Sequence, residues 1–404
     1  MKILFLLPYN PYPPNNGNKT LTYNLLRSLS KEISIDIVII EDFEVNYSLK
    51  KSNIKFFLPN IENIFIFKKL KNNKLIFQKI KLFLMGLHPT LAKFENKKLQ
   101  NWLLINHKNY DIIHFDTILT VNYIKFIENK STFLVASDAY SMATNRARNL
   151  TRNIYRYLRL TIQKNFYINI EKKIYPTFSK VVAVSPIDAI YLKKLSPNIN
   201  ISSLPIPIGE DLLNMKLKHF ELIKNSPNKV RILFVGTLSH PIISDNIVSI
   251  IVLLKNNLLK YVDVEVVILG KEPNFNIKKI LGVKVQHVEY VDDYEAFLDQ
   301  DCIYVYAQKC ASGLQTKLQK AMAIGLPIIS RSVSLGGLEV IHKENILIAE
   351  SDNEFVNNIL ILLRQPKLRE FIGKNARKTI LDQYSPDVVK EKYLITYKKL
   401  LNLA

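Results

Sequence analysis

Residues 231–236 read RILFVG, and they decide how this chain divides. An aliphatic run closed by a glycine looks like the first strand of an α/β unit. Yet the chain already opens on such a run, at residues 3–7. Further strand-like runs follow at 33–40, 112–115, 133–136 and 181–184, with helix-length stretches such as 21–29 and 187–195 between them. Continuous apolar runs bounded by turn residues suit parallel strands covered on both faces. After LPIPIG (204–209) and a polar segment to Asn228, the series restarts at Arg231 and continues through VEVVILG (264–270), CIYVYA (302–307) and LPIIS (326–330). The expectation is an α/β chain of two Rossmann-like, doubly wound halves facing a cleft. The first occupies residues 1–207 and the second 208–385. Residues 386–404 form a last helix that packs back on the first half.

Bulk properties agree with a globular two-domain chain. It has 404 residues, 48% hydrophobic and 23% charged. Cys302 and Cys310 form neither a disulfide framework nor the paired spacing of a metal site, and suit a reducing compartment. The apolar run at 3–7 is shorter than a signal-peptide core, and prolines and asparagines follow it. No stretch reaches the ~18 uninterrupted apolar residues of a membrane span. A cytoplasmic location is expected.

Net charge is +21, and it is unevenly placed. Residues 1–207 hold 30 Lys and Arg against 13 Asp and Glu, and the remainder 26 against 22. A basic half-molecule points to an anionic surface, nucleic acid or acidic lipid. Nucleic acid is set aside, because no binding motif is present and the aromatic residues are scattered.

Ligands of doubly wound sheets bind beyond the carboxyl ends of the strands. Three loops stand out there: PYNPYPPNNGNKT (8–20), GTLSHP (236–241) and CASGL (310–314). None matches the glycine patterns of dinucleotide or P-loop sites. The third opens ASGLQTKLQKAMAIGLPIISR (311–331), where a glycine turn precedes a helix carrying Lys317 and Lys320 on one face. Gly325 reads as that helix's C-cap. A helix N-terminus behind a glycine turn is a natural anion site.

The chain resembles bacterial glycosyltransferases of family 4, which have the GT-B fold. PYPPNNGNKTLTYNLLRSLS resembles the family's opening loop and helix. KVVAVSPIDAIYLKKL with LPIPIG resembles its late first-domain strand, helix and crossover. RILFVGTLSHP resembles the start of its nucleotide-binding domain, SGLQTKLQKAMAIGLPIIS its donor-site helix, and ARKTILDQYS its C-terminal stretch. The resemblance implies a retaining transfer of sugar from a nucleotide diphosphate donor to a glycan or lipid-linked acceptor in cell-envelope polysaccharide synthesis. It implies no bound metal and no cofactor. Carried over residue by residue, donor contacts fall on Gly17, Asn18, Gly236, Ser312, Gly313, Leu314, Lys317 and Lys320. Backbone N–H groups at the Gly313 turn and the Lys317 ammonium would hold the diphosphate.

Catalytic assignments fall on Asp116 and Asp138, each at a strand's end; Asp116 lies where many relatives carry a histidine. A carboxylate there accepts an acceptor hydroxyl's proton or orients the sugar. Capping of the following helix is the competing role. His114 reads as a packing residue. Lys320 departs from the family, which has a glutamate there to accept hydrogen bonds from the ribose; a lysine only donates. That departure keeps a weakened, non-catalytic partner subunit in view, and nucleotide-sugar epimerases share the architecture.

KLIFQKIKLFLMGL (74–87) sets Ile76, Phe77, Ile80, Phe83, Leu84 and Leu87 at helical spacing, with Lys74 and Lys81 off the stripe. A second basic helix is expected over RARNLTRNIYRYLRLTIQK (146–164). Core packing explains such a stripe, and so does peripheral docking on an anionic membrane.

Overall fold

In a computed structural model the chain packs as two units. Described are residues 1–14, 16–41, 53–70, 73–128, 130–214, 230–236, 241–258, 264–270, 285–289, 291, 297, 301–309 and 313–403. The first unit comprises Met1–Pro207, Gly313 with Leu314, and Pro386–Ala404. The second takes the rest from Ile208 to Ser385.

The first unit is built on a parallel sheet of seven strands: β1 (Lys2–Leu7), β2 (Ser34–Glu41), β3 (Ile61–Lys68), β4 (Ile112–Phe115), β5 (Ser131–Ala136), β6 (Lys180–Ala183) and β7 (Ile201–Ser203). Their order is β3-β2-β1-β4-β5-β6-β7, so the winding reverses between β1 and β4. The helices that bear on function are α1 (Gly17–Leu29), α2 (Asn73–Leu84), α3 (Lys97–Asn106), α4 (Tyr140–Asn149), α5 (Ile154–Lys173) and α6 (Pro186–Leu195).

The second unit has six parallel strands: β8 (Val230–Val235), β9 (Val264–Leu269), β10 (Val285–Val288), β11 (Asp301–Tyr306), β12 (Ile328–Ser330) and β13 (Leu347–Ile348). Their order, β10-β9-β8-β11-β12-β13, repeats the doubly wound pattern counted from β8. Its helices include α7 (Glu210–Asn214), α8 (Pro241–Leu258), α9 (Thr316–Ile324), α10 (Asp352–Arg364) and α11 (Pro366–Tyr384). A last helix, α12 (Pro386–Leu400), belongs to the first unit.

Aromatic packing seats α12. Tyr393 and Tyr397 are fully buried, and the Tyr397 ring meets Phe133 edge-on at 4.9 Å. The Tyr397 hydroxyl is 2.7 Å from His114 Nδ1, and the His114 ring stacks on Phe5 at 3.9 Å. Each such aromatic pair contributes about 0.5–1.5 kcal/mol beyond the area it buries. Burial pulls the His114 pKa down to about 3, so His114 packs as a neutral ring.

In the second unit, Arg369 of α11 reaches Asp301 of β11 at 2.6 Å, both side chains wholly buried. Cys302 is a buried residue of β11, and Cys310 lies outside the described residues.

One expected helix is corrected. Residues 146–164 are not continuous: α4 ends at Asn149, and Asn153 caps a new helix by accepting from Arg156 N. An asparagine satisfies an orphan N–H at a helix start better than it serves mid-helix.

Candidate functional site

In the first unit the chemistry gathers where the sheet's winding reverses. Asp116 follows β4, Tyr9 follows β1, and Thr22 lies in the second turn of α1. The Tyr9 hydroxyl donates to Asp116 Oδ2 at 2.9 Å, and Thr22 Oγ1 lies 2.8 Å from the same oxygen. Thr22 Oγ1 is also 3.0 Å from Asn18 O, and its single proton serves one acceptor at a time. The triad thus links Asp116 to the N-terminal turn of α1, where Gly17 and Asn18 are exposed. Asn16 caps that turn by accepting from Lys19 N at 3.1 Å.

Asp116 is almost wholly buried. Burial pushes its carboxyl up to about 6, against the opposing hydrogen bonds from Thr22 and Tyr9. The helix-cap role is not what Asp116 performs: Thr117 caps the following turn, its side chain accepting from Leu119 N. Tyr9 and Thr22 carry no motif of their own. A hydroxyl beside a strand's end gains meaning only once β1 and β4 are known to be neighbours.

Asp138 follows β5 and is half-buried. It stands beside Gly313, whose φ of +61° is left-handed. A Cβ on Gly313 would come within 2.6 Å of Asp138 Oδ1 and 2.4 Å of Ser137 O, so only glycine fits. The Gly313 N–H donates to Asp188 Oδ2 at 2.9 Å. The sequence expectation had this N–H turned to phosphate. Here a carboxylate from the first turn of α6 holds it, and the same Asp188 accepts from Ala139 N at 3.3 Å. Leu314 is buried, and Ser312 lies outside the described residues.

In the second unit, α9 carries Lys317 and Lys320. The side chain of its N-cap residue, Gln315, makes no capping hydrogen bond. The helix ends at Gly325, whose left-handed φ of +83° lets its N–H reach the carbonyls of Ala321 and Met322. Leu318, Ala321 and Met322 of the same helix are buried. The Tyr306 hydroxyl donates to Gln315 Oε1 at 2.9 Å, fixing the helix start to the end of β11. Both lysines are half-buried. Desolvation pulls each ammonium below its ordinary value, and for Lys320 the Asp211 carboxylate on α7 opposes that. Gly236 is buried at the end of β8 and donates its N–H to Leu269 O at 3.1 Å, which continues the sheet. The loop at 237–240 lies outside the described residues.

The apolar stripe of α2 points outward. Phe77 is 75% and Leu84 79% exposed, with Ile76, Ile80 and Phe83 exposed beside them. Leu75 and Leu82 hold the helix to the core instead. Phe83 meets Phe166 of α5 edge-on at 5.4 Å, and Asn169 Nδ2 donates to Gly86 O at 3.0 Å, so the two helices share a surface. Along α5, Ile154, Tyr155, Leu158 and Ile162 are exposed as well. The side chain of Lys74 lies outside the described residues, and Lys81 is exposed. Among the described residues no helix is long and apolar enough to cross a membrane.

Comparison with known proteins accords with this geometry. Residues 229–365 match the sequence model of the family described as Glycosyl transferases group 1. No curated protein sequence matches the chain. Among solved structures it is similar to sucrose-phosphate synthase from Thermosynechococcus elongatus, with a TM-score of 0.69 and 16% identity over 100% of each chain. It is similar to Anabaena HepE in complex with UDP-glucose, with a TM-score of 0.61 and 14% identity over 99% of this chain and 100% of that one. TarM of S. aureus, in complex with fondaparinux, alpha-GlcNAc-glycerol and UDP, gives a TM-score of 0.65 at 13% identity over 100% of each chain. At these identities the likeness speaks for the fold alone. The chain therefore has the GT-B fold, and its residues 229–365 match the model of the group 1 glycosyl transferases.

Proposed function

We propose that this chain is a retaining glycosyltransferase of family 4 that moves a sugar from a nucleotide diphosphate donor to a glycan or lipid-linked acceptor, in the synthesis of cell-envelope polysaccharide. The observation that carries the reading is the match of residues 229–365 to the group 1 model, with Lys317 half-buried in the first turn of a helix that Gln315 does not cap through its side chain. A departing diphosphate needs its charge stabilised, and a helix N-terminus with an adjacent ammonium does so. Partial desolvation strengthens each such contact.

In the reaction the anomeric bond to the diphosphate breaks and the acceptor oxygen bonds to the same carbon on the same face. The acceptor's proton leaves to a carboxylate, the role we give Asp116. Asp138 orients the acceptor-side sugar. Gly17, Asn18, Gly236, Leu314 and Lys320 line the path of the donor, and Lys320 meets ribose oxygens or phosphate as a donor of hydrogen bonds. The basic first unit and the exposed faces of α2 and α5 support work at the surface of an anionic membrane from the cytoplasmic side.

The test is incubation with a panel of UDP, GDP and other nucleotide sugars, scoring release of nucleoside diphosphate, with calorimetry of nucleoside diphosphate binding. Lys317→Ala should weaken that binding by about 1.5–3 kcal/mol, as for a lost charge-assisted bond. No release from any donor, together with unchanged affinity in Lys317→Ala, would overturn the reading.

A further inference from the structure

A second cluster of lysines lies in the first unit, apart from Asp116 and Asp138, and Phe77 and Lys81 of α2 belong to it. It surrounds a cavity of about 1290 Å3 beside the end of β3, α2 and the start of α3. Lys68, Lys69, Lys81, Lys97, Lys98 and Lys125 line it. The single carboxylate among its walls, Glu95, is already engaged: Asn122 Nδ2 donates to Oε1 at 3.3 Å and Gln78 Nε2 to Oε2. Six ammonium groups around one such carboxylate leave the cavity strongly positive.

Glu41 of β2 lies opposite Lys68 in register, but the stretch that supplies most of the cavity is without acid. No Asp or Glu occurs from residue 63 to 94, a stretch that supplies β3's end and all of α2. Folding therefore brings cations from β3, α2, α3 and the segment at 125 to one place, at a Coulomb cost that a bound anion would reverse. Lysines suit a phosphate, which they meet as point charges from several directions.

The walls between the lysines are apolar: Ile66, Phe67, Leu70 and Phe77. One helix serves both sides of the arrangement. Phe77 and Lys81 of α2 line the cavity, while Ile80, Phe83 and Leu84 of the same helix are exposed just outside it. A free inorganic anion would gain nothing from that apolar surface. A phosphate carrying a hydrocarbon chain would use both.

We propose that this cavity binds the phosphate headgroup of an anionic lipid, with the chain lying along the exposed face of α2. The site lies wholly in the first unit and is independent of donor binding, so its failure and the failure of the transferase reading are separately visible.

The experiment is calorimetric titration of the intact protein with octyl phosphate below its micellar concentration. Octyl glucoside serves as the uncharged control and methyl phosphate as the tail-free one. Octyl phosphate should bind at least about tenfold more tightly than either control. Lys97→Glu with Lys98→Glu should weaken it by about tenfold or more, and Lys81→Gln with Lys125→Gln, on other elements, should act in the same direction. Nucleoside diphosphate affinity should stay unchanged in both variants, which also reports that they are folded. Octyl phosphate binding untouched by both pairs of substitutions would overturn the site. Methyl phosphate binding as tightly as octyl phosphate would overturn the lipid assignment.

Discussion

The Tyr9 hydroxyl and the Asp116 carboxylate meet at 2.9 Å on loops that leave the adjacent strands β1 and β4, where the first sheet's winding reverses. Burial outweighs the hydrogen bonds and lifts Asp116 to about 6, against 3.8 when exposed. Between those values the folded protein holds a proton that the unfolded chain has released. The contribution of Asp116 to stability is therefore fully present below about pH 4 and is lost as pH rises through 6. Its capacity to accept a proton rises over the same interval. We predict that kcat/KM climbs through pH 6, and that Asp116→Asn lowers kcat by about 10²–10⁴-fold and abolishes that limb. Steady-state rates from pH 5 to 8 would check this; a full rate in the variant would remove Asp116 from the chemistry.

Lys320 stands where the resemblance to family 4 implies a glutamate, and Asp211 on α7 acts on it electrostatically. A glutamate placed there would face Asp211 as a like charge. It would also stand one turn from Lys317, on the side we assign to the diphosphate. At an effective dielectric of ~20 and ~4 Å, each reversed contact moves the Coulomb energy by roughly 8 kcal/mol before screening. We predict that Lys320→Glu lowers donor turnover across the nucleotide-sugar panel. A variant that turns over donor while the wild type does not would reverse that conclusion.

Arg369 and Asp301 form a buried pair at 2.6 Å, and Arg369 Nη1 also donates to Leu363 O at 3.1 Å. Removing one partner strands the other charge in the core, at about 3–5 kcal/mol. Arg369→Met should therefore lower the melting temperature of the second unit strongly. Adding Asp301→Leu should recover much of the loss, because the stranded carboxylate is then gone. Differential scanning calorimetry of the single and double variants decides it; equal loss in both would mean the packing of Arg369, not its charge, is what matters.

The exposed faces of α2 and α5 lie in stretches without Asp or Glu, residues 63–94 and 139–170. Sedimentation with vesicles should strengthen with acidic lipid and weaken with salt, since exposed charges are screened over about 8 Å at physiological ionic strength. Replacing Ile80 and Leu84 by glutamate, both more than half exposed, should reduce binding without lowering the melting temperature. Equal binding to neutral vesicles would leave the apolar faces alone responsible.

Legibility in the sequence follows burial. The strands read from apolar runs are the inner ones of both sheets. The four that escape such a reading, β3, β7, β10 and β13, are the four edges. An edge strand has a neighbour on one side only, so its sequence is shorter or mixed, as in IENIFIFK of β3. The stripe of α2 was legible as a stripe, but periodicity carries no sign: Leu75 and Leu82 face the core and the longer row faces out.

By itself the sequence determined the α/β class, the restart at Arg231, the glycine turn before α9 and the C-cap at Gly325. These rest on local rules, since hydrophobic period and left-handed backbone are properties of a few neighbouring residues. Tertiary structure alone decided which polar groups meet. Tyr9 reaches Asp116 across 107 positions, and Asp188 takes the Gly313 N–H across 125. The six lysines of the phosphate cavity come from four separate segments. No local rule couples such positions; the strand order does, because it chooses which loops emerge side by side.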